Sequence, residues 1–235
     1  MVDILIVIVL SVALQSLFGV GVLLFGTPML LFLGYSFMDS LLVLLPISVS
    51  INALQVIKDY RYINFNIYRN ILFITVPFII IFLFLISNSD ININFFVGSF
   101  LIFISLKDRV ALLKTIFDKS LSYNKLFFSL MGVVHGMTNL GGALLTAKIF
   151  STDLTKHEKR ATTAISYMSF AIFQIITILF LDKKYESSNS WLILIGVLVY
   201  LVINKLIFYQ ISEQRYNKIF SIFLVISGVL LILKS

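Results

Sequence analysis

Cysteine is absent from this chain of 235 residues. No disulfide, thiolate metal site, iron–sulfur cluster or cysteine nucleophile can form. Histidine occurs only at His135 and His157, too far apart in sequence to suggest a metal cage. Charge is scarce as well. Asp, Glu, Lys and Arg make up 12% of the residues, half of the ~25% usual in a soluble domain. No carboxylate sits deep in any apolar run. That argues against an acidic proton relay or a carboxylate cation site, and it suits an anionic substrate. Enzyme signatures are missing too: no His-Glu-x-x-His, no phosphate-binding P-loop, no Gly-x-Ser-x-Gly and no paired intramembrane aspartates. No enzymatic activity and no cofactor are expected.

What is present is apolar. Hydrophobic residues account for 60% of the chain, with 23 Phe, and the mean hydropathy is +1.04. A water-soluble fold cannot hide that much apolar surface. The sequence therefore reads as an all-α polytopic membrane protein, and disorder, a disulfide scaffold and a nucleic-acid module are excluded. The net charge of +7 comes from basic residues in short loops between apolar runs, where it orients the chain in the bilayer. Met1–Asp3 carries no positive charge, unlike a signal peptide, so Ile4 onward is expected to belong to the mature structure.

A span needs about 20 mostly apolar residues. Six stretches are expected to cross: Ser40–Ile57, Ile71–Ser87, Asn92–Leu106, Thr162–Leu181, Trp191–Ile207 and Tyr216–Leu233. Two others, Ile4–Phe37 and Leu126–Phe150, are interrupted by Gly19, Gly21, Gly26 and Pro28, and by Gly132, Gly136, Gly141 and Gly142. Each is either a full span followed by a loop, or a hairpin of two half-helices that enters and leaves on one side. Positive charge discriminates between them. The hairpin reading puts every one of the 18 basic residues inside except Lys183, Lys184 and Lys234. The full-span reading, with both termini inside, instead leaves Lys148, Lys156, Lys159, Arg160, Lys205, Arg215 and Lys218 outside. The hairpins imply two inverted repeats, each a glycine-broken re-entrant helical hairpin plus three transmembrane helices. The first covers 1–106, a basic cytoplasmic connector covers 107–125, and the second covers 126–235, with both termini outside. Inverted repeats with broken helices place a substrate site near the midplane.

The candidate site residues cluster accordingly. Ser48, Asn52 and Gln55 share one face of the helix after the first hairpin. Thr162, Ser166 and Ser169 repeat that spacing after the second, with Thr163 and Gln174 widening the face. At the breaks, a new half-helix begins with open N–H groups and a partial positive charge, which together suit an anion. Gly19, Gly21 and Gly26 with Thr27, and Gly141 and Gly142 with Thr138 and Asn139, form these two tips. His135, inside the second region, is either a hydrogen-bonding or proton-carrying group or a neutral ring satisfied by the backbone. Packing between helices is the competing role for the polar faces and the glycines.

At Phe18-Gly-Val-Gly-Val-Leu-Leu-Phe-Gly-Thr-Pro28-Met-Leu the chain resembles the TauE/SafE family of membrane transporters. A similar stretch recurs at Gly132-Val-Val-His-Gly136-Met-Thr-Asn-Leu-Gly141-Gly142-Ala-Leu-Leu. Lys159-Arg-Ala-Thr-Thr-Ala-Ile-Ser166 looks like the family's helix entry. Val22 and Leu23 depart from a triple-glycine run, and no proline follows the second cluster. The resemblance implies export of sulfite, sulfoacetate or another organosulfur anion across a bacterial inner membrane. The combined expectation is a secondary transporter of a small anion, coupled to a proton or ion gradient, with the lipid bilayer and the anion as partners and a homo-oligomer left open. A passive anion channel and a non-transporting subunit acting through partner proteins are the alternatives.

Overall fold

Nearly all the apolar runs are helical in the computed structural model, which describes residues 2–18, 21–89, 91–107, 109–181, 190–207 and 225–234. No strand occurs among these residues. In order, the helices are α1 (Val2–Phe18), α2 (Val22–Leu33), α3 (Phe37–Asp59), α4 (Phe65–Asn70), α5 (Val76–Ser87), α6 (Ile93–Leu106), α7 (Ala111–Ser122), α8 (Asn124–Thr138), α9 (Gly141–Phe150), α10 (Lys156–Phe180) and α11 (Ser190–Ile207). Residues 225–233 are also helical. A π turn at Ile71–Thr75 joins α4 to α5, so Phe65–Ser87 continues as one rod.

Helix ends follow local chemistry. Ser36 caps α3 by accepting the Asp39 N–H. Thr155 and Glu158 close a capping box at the start of α10. Gly34, in the left-handed region at φ 98°, ends α2. These caps explain why α3 and α10 begin before the expected spans at Ser40 and Thr162. Hydropathy discounts a polar first turn that capping stabilises.

Among the described residues, three helices are long and apolar enough to cross a membrane: Phe37–Tyr62, Phe65–Ser87 and Lys156–Phe180. They contain most of three expected spans. The expected spans at Asn92–Leu106 and Trp191–Ile207 are helical as α6 and α11, and α6, with 14 residues, is shorter than that standard. Tyr216–Leu233 is described only from residue 225. The half-helices α2 and α9, with 12 and 10 residues, are roughly 18 and 15 Å long, about half of a ~30 Å hydrocarbon layer. The connector 107–125 is not simply a loop. It carries α7, whose Phe117 is buried while Leu112 and Ile116 are exposed.

The molecule is sorted inside out. Phe73, Phe84, Phe180 and Leu194 face outward, whereas Gln15, Asn52, His135, Asn139 and Gln174 are fully buried. Among the described helices, α3 and α10 pack together at the centre. Helix α1 lies on α2 and α11, and α8 lies on α9 and α5. Helix α2 also rests on α3, α9 on α10, α5 on α10 and α11 on α3. Gly132 and Gly136 are not breaks. They lie within α8, where a Cβ would come within 2.4 Å of the Thr75 carbonyl oxygen and 2.7 Å of the Ile79 carbonyl oxygen of the neighbouring rod.

Contacts tie specific ends together. The Tyr35 hydroxyl donates to the Asp3 carboxylate at 2.6 Å, so α1 starts beside the point where α2 ends. The Lys148 ammonium donates to the Leu121 carbonyl, so α9 ends beside the start of α8. The Lys234 ammonium reaches the Phe32 carbonyl. The end of α3 and the start of α10 share a different cluster. There Arg160 pairs with Asp59 at 3.7 Å, the Asn64 N–H donates to the Thr162 hydroxyl at 2.9 Å, and His157 stacks on Tyr62.

Candidate functional site

Each break is held by a chain of hydrogen bonds that starts at the new half-helix. In the first, the Val22 N–H donates to Gln15 Oε1 at 2.8 Å. Gln15 Nε2 donates to Asn52 Oδ1 on α3 at 3.2 Å. Asn52 Nδ2 in turn donates to the Ser48 carbonyl at 2.8 Å and hydroxyl at 3.1 Å. In the second, the Gly141 N–H donates to His135 Nδ1 at 3.1 Å. Because Nδ1 accepts, the ring proton resides on Nε2, which faces Gln174 Oε1 on α10 at 3.2 Å. Two of the N–H groups expected to stand open are thus occupied by side chains.

The second break reaches the middle of α2. Asn139 adopts φ 62°, a left-handed conformation that Asn tolerates better than most residues. From there Asn139 Nδ2 donates to the Thr27 hydroxyl on α2 at 2.8 Å. Thr138 accepts the Leu140 N–H at 3.3 Å and gives its own proton to the Val134 carbonyl. The glycines at the breaks are there for close approach. A Cβ on Gly21 would lie 2.5 Å from the Gln15 backbone nitrogen, one on Gly141 2.5 Å from His135 Cβ, and one on Gly142 1.9 Å from the Tyr167 hydroxyl. Gly26, within α2, packs on Leu44. Gly19 lies outside the described residues.

The polar faces divide by role. Thr162 is spent on the Asn64 N–H. Ser166 and Ser169 give their protons to carbonyls of α10 itself, and the Ser169 oxygen also meets the Tyr68 hydroxyl at 2.8 Å. Other buried atoms have no hydrogen-bond partner: Gln55 Oε1, Asn139 Oδ1, Thr163 Oγ1, Tyr167 Oη and Gln174 Nε2. Each such group costs about 1–3 kcal/mol, and a native fold retains few of them without a reason. Thr163, Tyr167 and Gln174 fall at i, i+4 and i+11, along one stripe of α10. The Tyr167 hydroxyl is directed at the Gly142 backbone without closing a well-formed hydrogen bond.

Sequence reasoning missed Gln15 and Tyr167. Gln15 precedes Gly21 by six residues, as His135 precedes Gly141. That matched offset is the signal that would have found it. Tyr167 was hidden among the apolar residues of its helix.

The family model described as Sulfite exporter TauE/SafE matches residues 4–231. The chain belongs to this family. Both breaks, both polar faces and α7 fall within the match. Membership makes the protein a multi-pass membrane protein of anion-exporter type, built for transport rather than enzymatic turnover. No curated protein and no solved structure matches the chain significantly.

Proposed function

We propose that this TauE/SafE member is a secondary transporter of a small sulfur anion, a sulfur oxyanion or organosulfonate such as sulfite or sulfoacetate, and that the anion binds where the two broken helices meet. The observation that carries this reading is the Asn139–Thr27 hydrogen bond, which ties the second break to α2, the helix that follows the first, inside the helical core. Two half-helix starts, each with a partial positive end, are thereby held in one region that contains no carboxylate. The family contributes the chemical class of the cargo.

An inverted-repeat architecture is supported by the packing. Exchanging α1 with α8, α2 with α9, α3 with α10 and α5 with α11 turns the α5–α8 contact into α11–α1 and the α5–α10 contact into α11–α3. Both members of each pair occur. Asp3–Tyr35 and Lys148–Leu121 each close a hairpin whose two arms return to the same level, consistent with re-entrant elements. On this reading 1–106 and 126–235 are the repeats, 107–125 is the cytoplasmic connector, and both termini face the outside of a bacterial inner membrane. Rocking of one repeat against the other would alternate access, driven by a proton or ion gradient.

The test is flux of radiolabelled sulfite, sulfoacetate, sulfate and a simple carboxylate into proteoliposomes, with and without unlabelled anion inside. The expected result is saturable uptake of a sulfur anion that internal substrate accelerates. Unsaturable flux without that acceleration indicates the channel alternative. No movement of any anion through folded protein overturns the anion reading.

A further inference from the structure

The two breaks are alike in construction and unlike in hydrogen-bond saturation, and that asymmetry separates their roles. At the first, the chain from Val22 through Gln15 and Asn52 to Ser48 ends on satisfied groups. At the second, the chain from Gly141 through His135 stops at Gln174, whose Nε2 has no partner. The fully buried Tyr167 hydroxyl, whose proton also has no acceptor, points at Gly142 in the first turn of α9. Thr163 adds an unpartnered hydroxyl one turn away on the same stripe of α10. Helix α9 has 10 residues, and a helix start leaves its first N–H groups without intrahelical acceptors.

We propose that the Tyr167 hydroxyl and the Gly142 N–H together form the anion-binding contact, and that the first break is a structural counterpart that binds no anion. This rests on the transporter reading above and deepens it. A sulfonate or sulfite oxygen would accept from both donors at the positive end of α9. Neither donor is a cation, so the contact holds an oxyanion oxygen without an ion pair and allows release, as transport requires. The hydroxyl proton has no acceptor in the protein, and that is what leaves it available to cargo.

The experiment compares wild type with Tyr167→Phe in detergent. It measures equilibrium binding of radiolabelled sulfite and sulfoacetate together with thermal stability. Removing one hydrogen bond to a charged ligand is expected to raise Kd about tenfold or more. Tm should change little, because the lost hydroxyl proton has no acceptor in the protein and its contact with Gly142 is not a well-formed hydrogen bond. A Kd unchanged within about twofold, in a protein whose wild type binds and transports, overturns the subsite and leaves the transporter reading standing. A marked fall in Tm, or failure to fold, also overturns it, since the hydroxyl would then be structural. Wild-type protein that neither binds nor transports these anions overturns the transporter reading and the subsite together.

Discussion

Gly142→Ala is expected to cut sulfite flux about 100-fold or more while the protein still folds and inserts. The added Cβ would stand 1.9 Å from the Tyr167 hydroxyl, a separation no contact permits. Backbone lies further away than the ring, so the tyrosine is what must move. Its displacement removes the hydroxyl from the start of α9, and the methyl covers the neighbouring N–H. Two hydrogen bonds to a charged ligand are worth ~1.5–3 kcal/mol each, which sets the expected magnitude. Gly21→Ala makes the contrast. There the Cβ would meet the Gln15 backbone nitrogen at 2.5 Å and Cα at 2.6 Å. A main chain held in a helix cannot retreat as a side chain can, so that variant should fail to accumulate as folded protein. Flux and size-exclusion profiles of the two variants check both outcomes. A Gly142→Ala protein with wild-type flux would remove the start of α9 from the transport path.

The second large effect is at His135. His135→Leu leaves the Gly141 N–H and Gln174 Oε1 buried without partners. At ~1–3 kcal/mol for each orphaned group, the loss is about 2–6 kcal/mol, a large part of the ~5–15 kcal/mol that holds a typical domain together. His135→Gln should behave differently, because the first break already uses Gln15 for the same job, with Oε1 accepting the half-helix N–H and Nε2 donating onward. Folding and flux close to wild type are expected for His135→Gln, and so is an unchanged pH profile. The last point follows from the tautomer. Nδ1 is committed to a backbone N–H, and protonating it would break the bond that closes the hairpin. A His135→Gln protein that folds but loses its pH dependence would establish His135 as a proton carrier instead of a positioning residue.

The breaks were legible in the sequence because a helix that must stop inside an apolar region needs glycine, and the glycines cluster. Their position was less legible, because glycine serves close packing equally well. Gly132 and Gly136 have the same composition signal as Gly141 and Gly142, yet they lie in mid-helix against α5, and the chain turns at Asn139 instead. The polar faces at Ser48/Asn52 and Thr162/Ser166 followed from helical spacing. Which members were spent on the fold did not, since Thr162 bonds a residue nearly a hundred positions away. Helix α7 was invisible for another reason. Its mixture of lysines and apolar residues has the composition of a loop, and only its Phe117, buried among aromatic neighbours, reveals the packing.

The transporter reading rests on the two broken hairpins entering from opposite faces of the membrane. The absence of cysteine makes this directly measurable. Single cysteines at Asn88 and Asp153, both exposed and just beyond the ends of α5 and α9, can be labelled with a membrane-impermeant maleimide in right-side-out and inverted vesicles. The expected result is labelling of Asn88→Cys only from outside and of Asp153→Cys only from inside. Labelling of both from the same face would mean that residues 126–150 cross the membrane outright, and would contradict the inverted arrangement on which the site depends.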